Sequence, residues 1–334
     1  MKTESVLVQT LSVPCASRCR YCLLSWDGKP VGVPWEQSVP FLESFAEWMR
    51  ANRPDLSCSV TFGYSMEHPK LIEAIRFLRR LGSPQATFLQ CDGMRMRSAG
   101  ECAKLMESLR EEGVRKVHFT VYGREAYHDR FANRHGDFAL IVRMLQAAEN
   151  AGLSAGVGIP VTEENCAELA EPVSYLQDAA GCQDISLFIP HGEGRGVSLE
   201  PVRLTETGFQ TLPAAIQGLM NRNLFRTERE WLTGNCYREE TKRSLIVSYR
   251  QDNAVRYDSM RVPDILQEIE AADDAYYAAF PPFFELAERY GDPNGERLYR
   301  QRDLFHHYRR LYADEFGVKV YDVTDERQSG SRRY

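Results

Sequence analysis

Cys15, Cys19 and Cys22 fall within eight residues of one another in the run VPCASRCRYCLLSW. Three thiolates on one short loop can hold three corners of a cubane iron–sulfur cluster. No fourth cysteine lies nearby, so one iron would be left open for chemistry, and an open iron suggests a catalyst. Nine cysteines scattered at random over 334 residues would produce a C-x3-C-x2-C pattern with a probability below about one in a hundred. The competing chemistry is a structural zinc site, which wants four ligands in a closed tetrahedron; the nearest histidine, His68, is too remote in sequence to complete a local knuckle. On residues alone, a noncatalytic iron–sulfur electron carrier and a zinc-stabilised binding module stand beside the enzyme. Cys58, Cys91, Cys102, Cys166, Cys182 and Cys236 are scattered singly, mostly in apolar stretches, and read as small buried hydrophobes.

The elements that must position this loop are strands alternating with helices. SVLVQTLSV (5–13) is strand-like and runs directly into the cysteines, and a helix pattern follows from Trp35 to about Arg50. CSVTF (58–62), ATFLQC (86–91), KVHFTVY (116–122), SAGVGIPV (154–161) and DISLFI (184–189) continue the strands. Helices are expected over 69–82 and near 99–112, 137–151 and 163–178. Six such units imply a parallel sheet covered by helical crossovers, either curled into a partial (β/α)6 barrel or left open and doubly wound. In both arrangements reactive groups collect on loops leaving the C-terminal ends of the strands. The cysteine loop, FGYSMEHP, CDGMR, YGREAYHDRF, PVTEEN and IPHGEGRG all occupy that rim.

The chain is long enough for one large domain with a smaller appendage, and 43% hydrophobic content fills a sizeable core. A formal charge of −6 gives no global attraction to phosphate backbones, so nucleic acid is not an expected partner; Arg327, Arg332 and Arg333 read as a solvated end. No apolar run approaches the ~20 residues that span a bilayer, and the start MKTESV lacks the architecture of a signal peptide. A cytoplasmic protein with reduced thiols and no membrane partner is expected.

The C-x3-C-x2-C loop after the first strand, with aromatic Tyr21 before the last cysteine, resembles the radical S-adenosylmethionine (SAM) superfamily over about residues 1–200. Asp92–Gly93 stands where many members have Asn–Gly, Thr120 where a serine is common, and GDFALIVRMLQAAENAGL (136–153) resembles the helix that follows. The resemblance implies a partial (β/α)6 barrel over 1–200, with Cys15, Cys19 and Cys22 ligating one [4Fe–4S] cluster whose open iron is chelated by SAM. It implies reductive cleavage of SAM to a 5′-deoxyadenosyl radical that abstracts hydrogen from a peptide or small-metabolite substrate. A low-potential donor such as flavodoxin or ferredoxin would supply the electron. Whether SAM is consumed or regenerated is open at this stage.

The second loop departs from the family's Gly–Gly–Glu–Pro run, placing Phe62, Gly63, Tyr64 and Ser65 there; Glu67 is a weak replacement for the missing carboxylate, or a first-turn helix residue. Other expected cofactor contacts are Tyr21, Gly63, Tyr64 and Thr120, together with Arg134 (or Arg130) for the SAM carboxylate. Asn165 is expected at the ribose or as a helix cap, and Gly192 and Gly194 at the adenine or ribose or in a plain turn. His118 and Tyr122 are the substrate-facing candidates; His128 and His135 read as structural or surface groups. Residues 201–334 form a small α+β extension in this reading. It comprises a helix near 205–222, a hairpin of SLIVSY and AVRYDS, and a helical aromatic stretch packed as a cap. This extension looks like a degenerate form of the SPASM/twitch-type domain that binds auxiliary clusters in relatives. Cys236 alone cannot hold one, so a single cluster is expected.

Overall fold

The computed structural model describes residues 1–10, 15–23, 32–63, 66–234, 236–320 and 329–333. Six strands appear in the expected order, separated by helices: β1 (Lys2–Thr10), α1 (Trp35–Asn52), β2 (Ser57–Thr61), α2 (Leu71–Arg80), β3 (Phe88–Gln90) and α3 (Ala99–Glu111). They continue with β4 (Lys116–Thr120), α4 (Glu125–Ala132), α5 (Asp137–Asn150), β5 (Ser154–Pro160), α6 (Ala170–Ala180) and β6 (Asp184–Phe188). All pairings among the six are parallel, forming the two sheet halves β1–β2 and β3–β4–β5–β6 of a partial α/β barrel. The halves are not hydrogen-bonded strand to strand; the Ser83 hydroxyl, just past α2, donates to the Val60 carbonyl of β2 at 2.6 Å.

Strand periodicity sorts the side chains. Val6, Val8 and Val60 enter a core with Leu42, Phe45 and Phe77 of α1 and α2, whereas Val117, Phe119 and Val157 enter one with Met106, Ile141 and Leu145 of α3 and α5. The alternate positions therefore face the barrel interior. They are mostly polar and bonded to one another: Gln9 to Ser248 at 2.9 Å, and His118 Nδ1 to Gln90 Oε1 at 3.2 Å.

The chain continues with α7 (Glu206–Gln210), α8 (Ala214–Gln217), β7 (Arg226–Thr227), α9 (Glu228–Thr233), β8 (Lys242–Tyr249), α10 (Ala254–Asp258) and α11 (Val262–Ala278). It ends with α12 (Phe283–Tyr290), β9 (Leu298–Tyr299), α13 (Gln301–Phe316) and β10 (Gly330–Arg333). Three expectations change here. The helix near 205–222 is broken into α7 and α8 at Pro213, which has no N–H to continue the ladder. The hairpin does not form: SLIVSY lies in β8, which pairs in parallel with β1, while AVRYD is the helix α10. Ala254 and Tyr257, three apart, are both buried, which is helical rather than strand spacing. Finally, the aromatics of the last third build their own core: Tyr237 stacks on Phe283 at 3.9 Å, beside Trp231, Tyr299, Phe305 and Tyr308. Among the described residues no helix is long and apolar enough to cross a membrane.

Candidate functional site

The cysteine loop leaves the C-terminal end of the β1 segment and is held almost entirely by backbone. Ala16 N–H donates to the Gly93 carbonyl (2.9 Å), Arg18 N–H to Ala132 (2.9 Å) and Arg20 N–H to Phe131 (3.1 Å). From the loop after β6, Arg195 donates its N–H to the Cys22 carbonyl at 2.9 Å and its Nε–H to the Cys19 carbonyl at 3.0 Å. The loop after β3, the end of α4 and the loop after β6 thus converge on three cysteines. Two glycines make that approach possible. A Cβ on Gly93, whose φ is +66°, would lie 2.1 Å from Cys15 Sγ, and one on Gly194 would lie 2.2 Å from the Leu23 carbonyl oxygen. The freedom of Gly194 therefore makes room for the cysteine loop itself, and Gly192 faces Arg203 and Glu200.

Burial pushes the Cys15 thiol up, with Cys22 and Asp92 adding negative charge; Cys19, more deeply enclosed, is raised further, opposed by a side-chain hydrogen bond with Tyr122. The three thiols are close enough to act electrostatically on one another. Among the described residues, however, no three histidine, cysteine or acidic side chains converge on one ion. One zinc draws its ligands to a single point at ~2.3 Å, whereas a cubane spreads three thiolates over three irons. An all-sulfur donor set, a cradle that a single Cβ would fill, and thiols that need a metal's charge to ionise fit the cluster.

Around the loop is an aromatic wall. Half-buried Tyr21 packs against Tyr122 (5.4 Å between centroids), Phe131 (6.3 Å) and Phe188 (5.9 Å). Its hydroxyl reaches Thr120 Oγ1 at 3.4 Å, and the Thr120 hydroxyl donates to Asp92 at 2.9 Å. Buried Tyr122 stacks on His128 (4.8 Å) and Phe131 (4.5 Å), and its N–H donates to His128 Nδ1 at 3.2 Å. Tyr122 therefore lies against Cys19 in the wall, and His118, on the inner face of β4, remains directed into the barrel with its pKa lowered by burial.

Other candidates are occupied. Arg134 donates to Asp137 at 3.1 Å, and Asp137 also pairs with fully buried His128 on α4, a helix formed within the segment expected as a loop. Asn165 donates to the Tyr122 and Pro160 carbonyls at 3.1 and 2.9 Å and accepts from Thr162 N–H at 2.9 Å, so its amide braces the ends of β4 and β5. Glu67 takes the Arg95 N–H at 2.9 Å and pairs with Arg97. Gly63 turns the chain after β2 with φ +62°, its N–H donating to Thr61 Oγ1 at 2.9 Å; Tyr64 lies outside the described residues. Asp92, which the sequence marks only as an acid in place of asparagine, accepts from Gln90 and Thr120 beside the cysteine loop.

Residues 11–172 match the family model of the Radical SAM superfamily. No curated protein matches the chain. Among solved structures, the anSMEcpe complex with bound AdoMet and Cp18Cys peptide is similar at 15% identity and TM-score 0.46, covering 70% of this chain and 62% of that one. Streptococcus suis SuiB bound to precursor peptide SuiA is similar at 12% identity and TM-score 0.43, covering 57% and 40%. Coproporphyrinogen III oxidase (HemN) from Escherichia coli is similar at 14% identity and TM-score 0.41, covering 65% and 50%. The chain spans less than two thirds of each of these neighbours.

Proposed function

The chain carries a radical SAM domain over residues 11–172, and from that premise we propose an enzyme with one [4Fe–4S] cluster held by Cys15, Cys19 and Cys22, acting on a polar substrate. When bound, cluster and SAM would supply one-electron cleavage of a sulfonium C–S bond and a 5′-deoxyadenosyl radical able to take hydrogen from carbon. The observation that carries the reading is the convergence of three loops on three mutually close thiols, with Gly93 and Gly194 leaving no room for any other side chain.

The chain's own residues orient and enclose. Cys19, Tyr122, Phe131, Ala132 and Leu199 form a buried apolar shell against the loop, which excludes water from that side. Tyr21, Thr120 and Gly63 stand in this reading as candidate cofactor contacts. His118 and Gln90 give the interior polar anchors for a peptide side chain or a small polar metabolite. The electron would come from a low-potential protein such as flavodoxin or ferredoxin.

Anaerobic reconstitution followed by reduction in the presence of SAM tests the reading. Release of 5′-deoxyadenosine is expected. A redox-active cluster that never cleaves SAM would favour an electron carrier, and colourless protein with one zinc would sink both.

A further inference from the structure

Among the described residues, no lysine or arginine faces the carboxyl group of Asp92. Its Oδ1 accepts from Thr120 N–H at 2.8 Å, and its Oδ2 from the Thr120 hydroxyl at 2.9 Å and from Gln90 Nε2 at 2.5 Å. These three donors are neutral and fix the carboxylate's orientation; a carboxylate has about four acceptor positions, so one remains open. Glu67 and Glu164 on rim loops and Asp137 at the start of α5 each pair with an arginine, whereas among the described residues no lysine or arginine lies within ion-pair distance of Asp92. Cys15, Cys19, Tyr21 and Tyr122 all lie within electrostatic reach of this carboxyl group. Because Asp92 is only half-buried, a ligand can reach it.

Its position limits what that ligand group is. The next residue, Gly93, packs directly on Cys15 Sγ, so the carboxylate stands at the edge of the thiol site. The open acceptor position suits an N–H donor on a ligand held at the thiol site. The second loop offers Phe62 and Gly63 in place of an acid, and Glu67 is spent on Arg95 and Arg97. We propose that Asp92, oriented by Thr120 and Gln90, is the acidic residue that receives the amino group of SAM. This positioning role rests on the cluster and SAM reading given above.

The test measures binding rather than turnover: anaerobic equilibrium dialysis of cluster-loaded protein with SAM and with S-adenosylhomocysteine, which keeps the amino group but lacks the sulfonium charge. Asp92→Asn should weaken both ligands alike, by about tenfold or more, with iron content unchanged. Equal affinity in the variant, or a loss confined to SAM, which would mean that Asp92 reads the sulfonium, overturns the assignment. Wild-type protein that binds neither ligand would instead overturn the underlying reading, and the assignment with it. If Asp92→Asn fails to load its cluster, Gln90→Met takes its place. That variant keeps the charge but loses one orienting donor, and a loss of about threefold for both ligands is expected, with no loss counting against the assignment.

Discussion

Two carboxylates, Asp92 after β3 and Asp303 on α13, meet desolvation differently. Burial raises Asp92, whose partners are the neutral side chains of Gln90 and Thr120. Burial pushes Asp303 of α13 in the same direction, but His191 at 2.8 Å, with Arg302 and Arg203 nearby, holds it far below the usual carboxylate range. The Asp303 contact ties the loop after β6 to the C-terminal aromatic core, and its charge balance is closed within the chain. Among the described residues the Asp92 balance is open, beside three thiols. A closed balance suits a structural joint, and an open one is where the proposed ligand contact is placed.

The largest expected effect is at the rim. Gly93→Ala must move Cys15 or distort a positive-φ turn, so reconstituted protein should lose most of its iron, read by iron and sulfide analysis, while circular dichroism remains near wild type. Next comes the joint: Asp303→Asn leaves His191 and Arg302 facing a neutral amide and should cost about 3 kcal/mol in urea unfolding. Because the folded Asp303 pKa is depressed, that advantage is fully present above about pH 4, the ordinary carboxylate value, and is lost as pH falls through the folded value. The variant and wild type should therefore converge in acid. Smallest is Asp92→Asn in the cluster-free protein, expected to cost about 1 kcal/mol, because no ion pair among the described residues is broken and the new amide donor meets the Gln90 Nε2 donor. A loss as large as that of Asp303→Asn would erase the distinction between the two carboxylates.

The parts legible in the sequence were those with local signals. Six strand–helix units carry their periodicity in short windows, and three cysteines in eight residues need no tertiary information. What escaped was set by partners far away. SLIVSY and AVRYDS looked like the arms of a hairpin, but the pairing partner of β8 is β1, more than two hundred residues earlier. Asn165 and Arg134 had the right chemistry for SAM, yet the backbone carbonyls of Tyr122 and Pro160 take both amide donors of the first and Asp137 engages the second. Asp92 was visible as a residue, but its importance depends on the absence of a cation, which only side-chain placement reveals.

The most direct test compares wild-type protein with Cys19→Ala, each reconstituted anaerobically with iron and sulfide, reduced, and assayed for 5′-deoxyadenosine from SAM. Cys19 is the most enclosed of the three thiols and sits in a small buried cluster with Tyr122, Phe131, Ala132 and Leu199, outside the two large cores, so the variant should fold, fail to retain the cluster and release no deoxyadenosine. Full iron occupancy in the variant, or deoxyadenosine release equal to wild type, would contradict the assignment of the three cysteines.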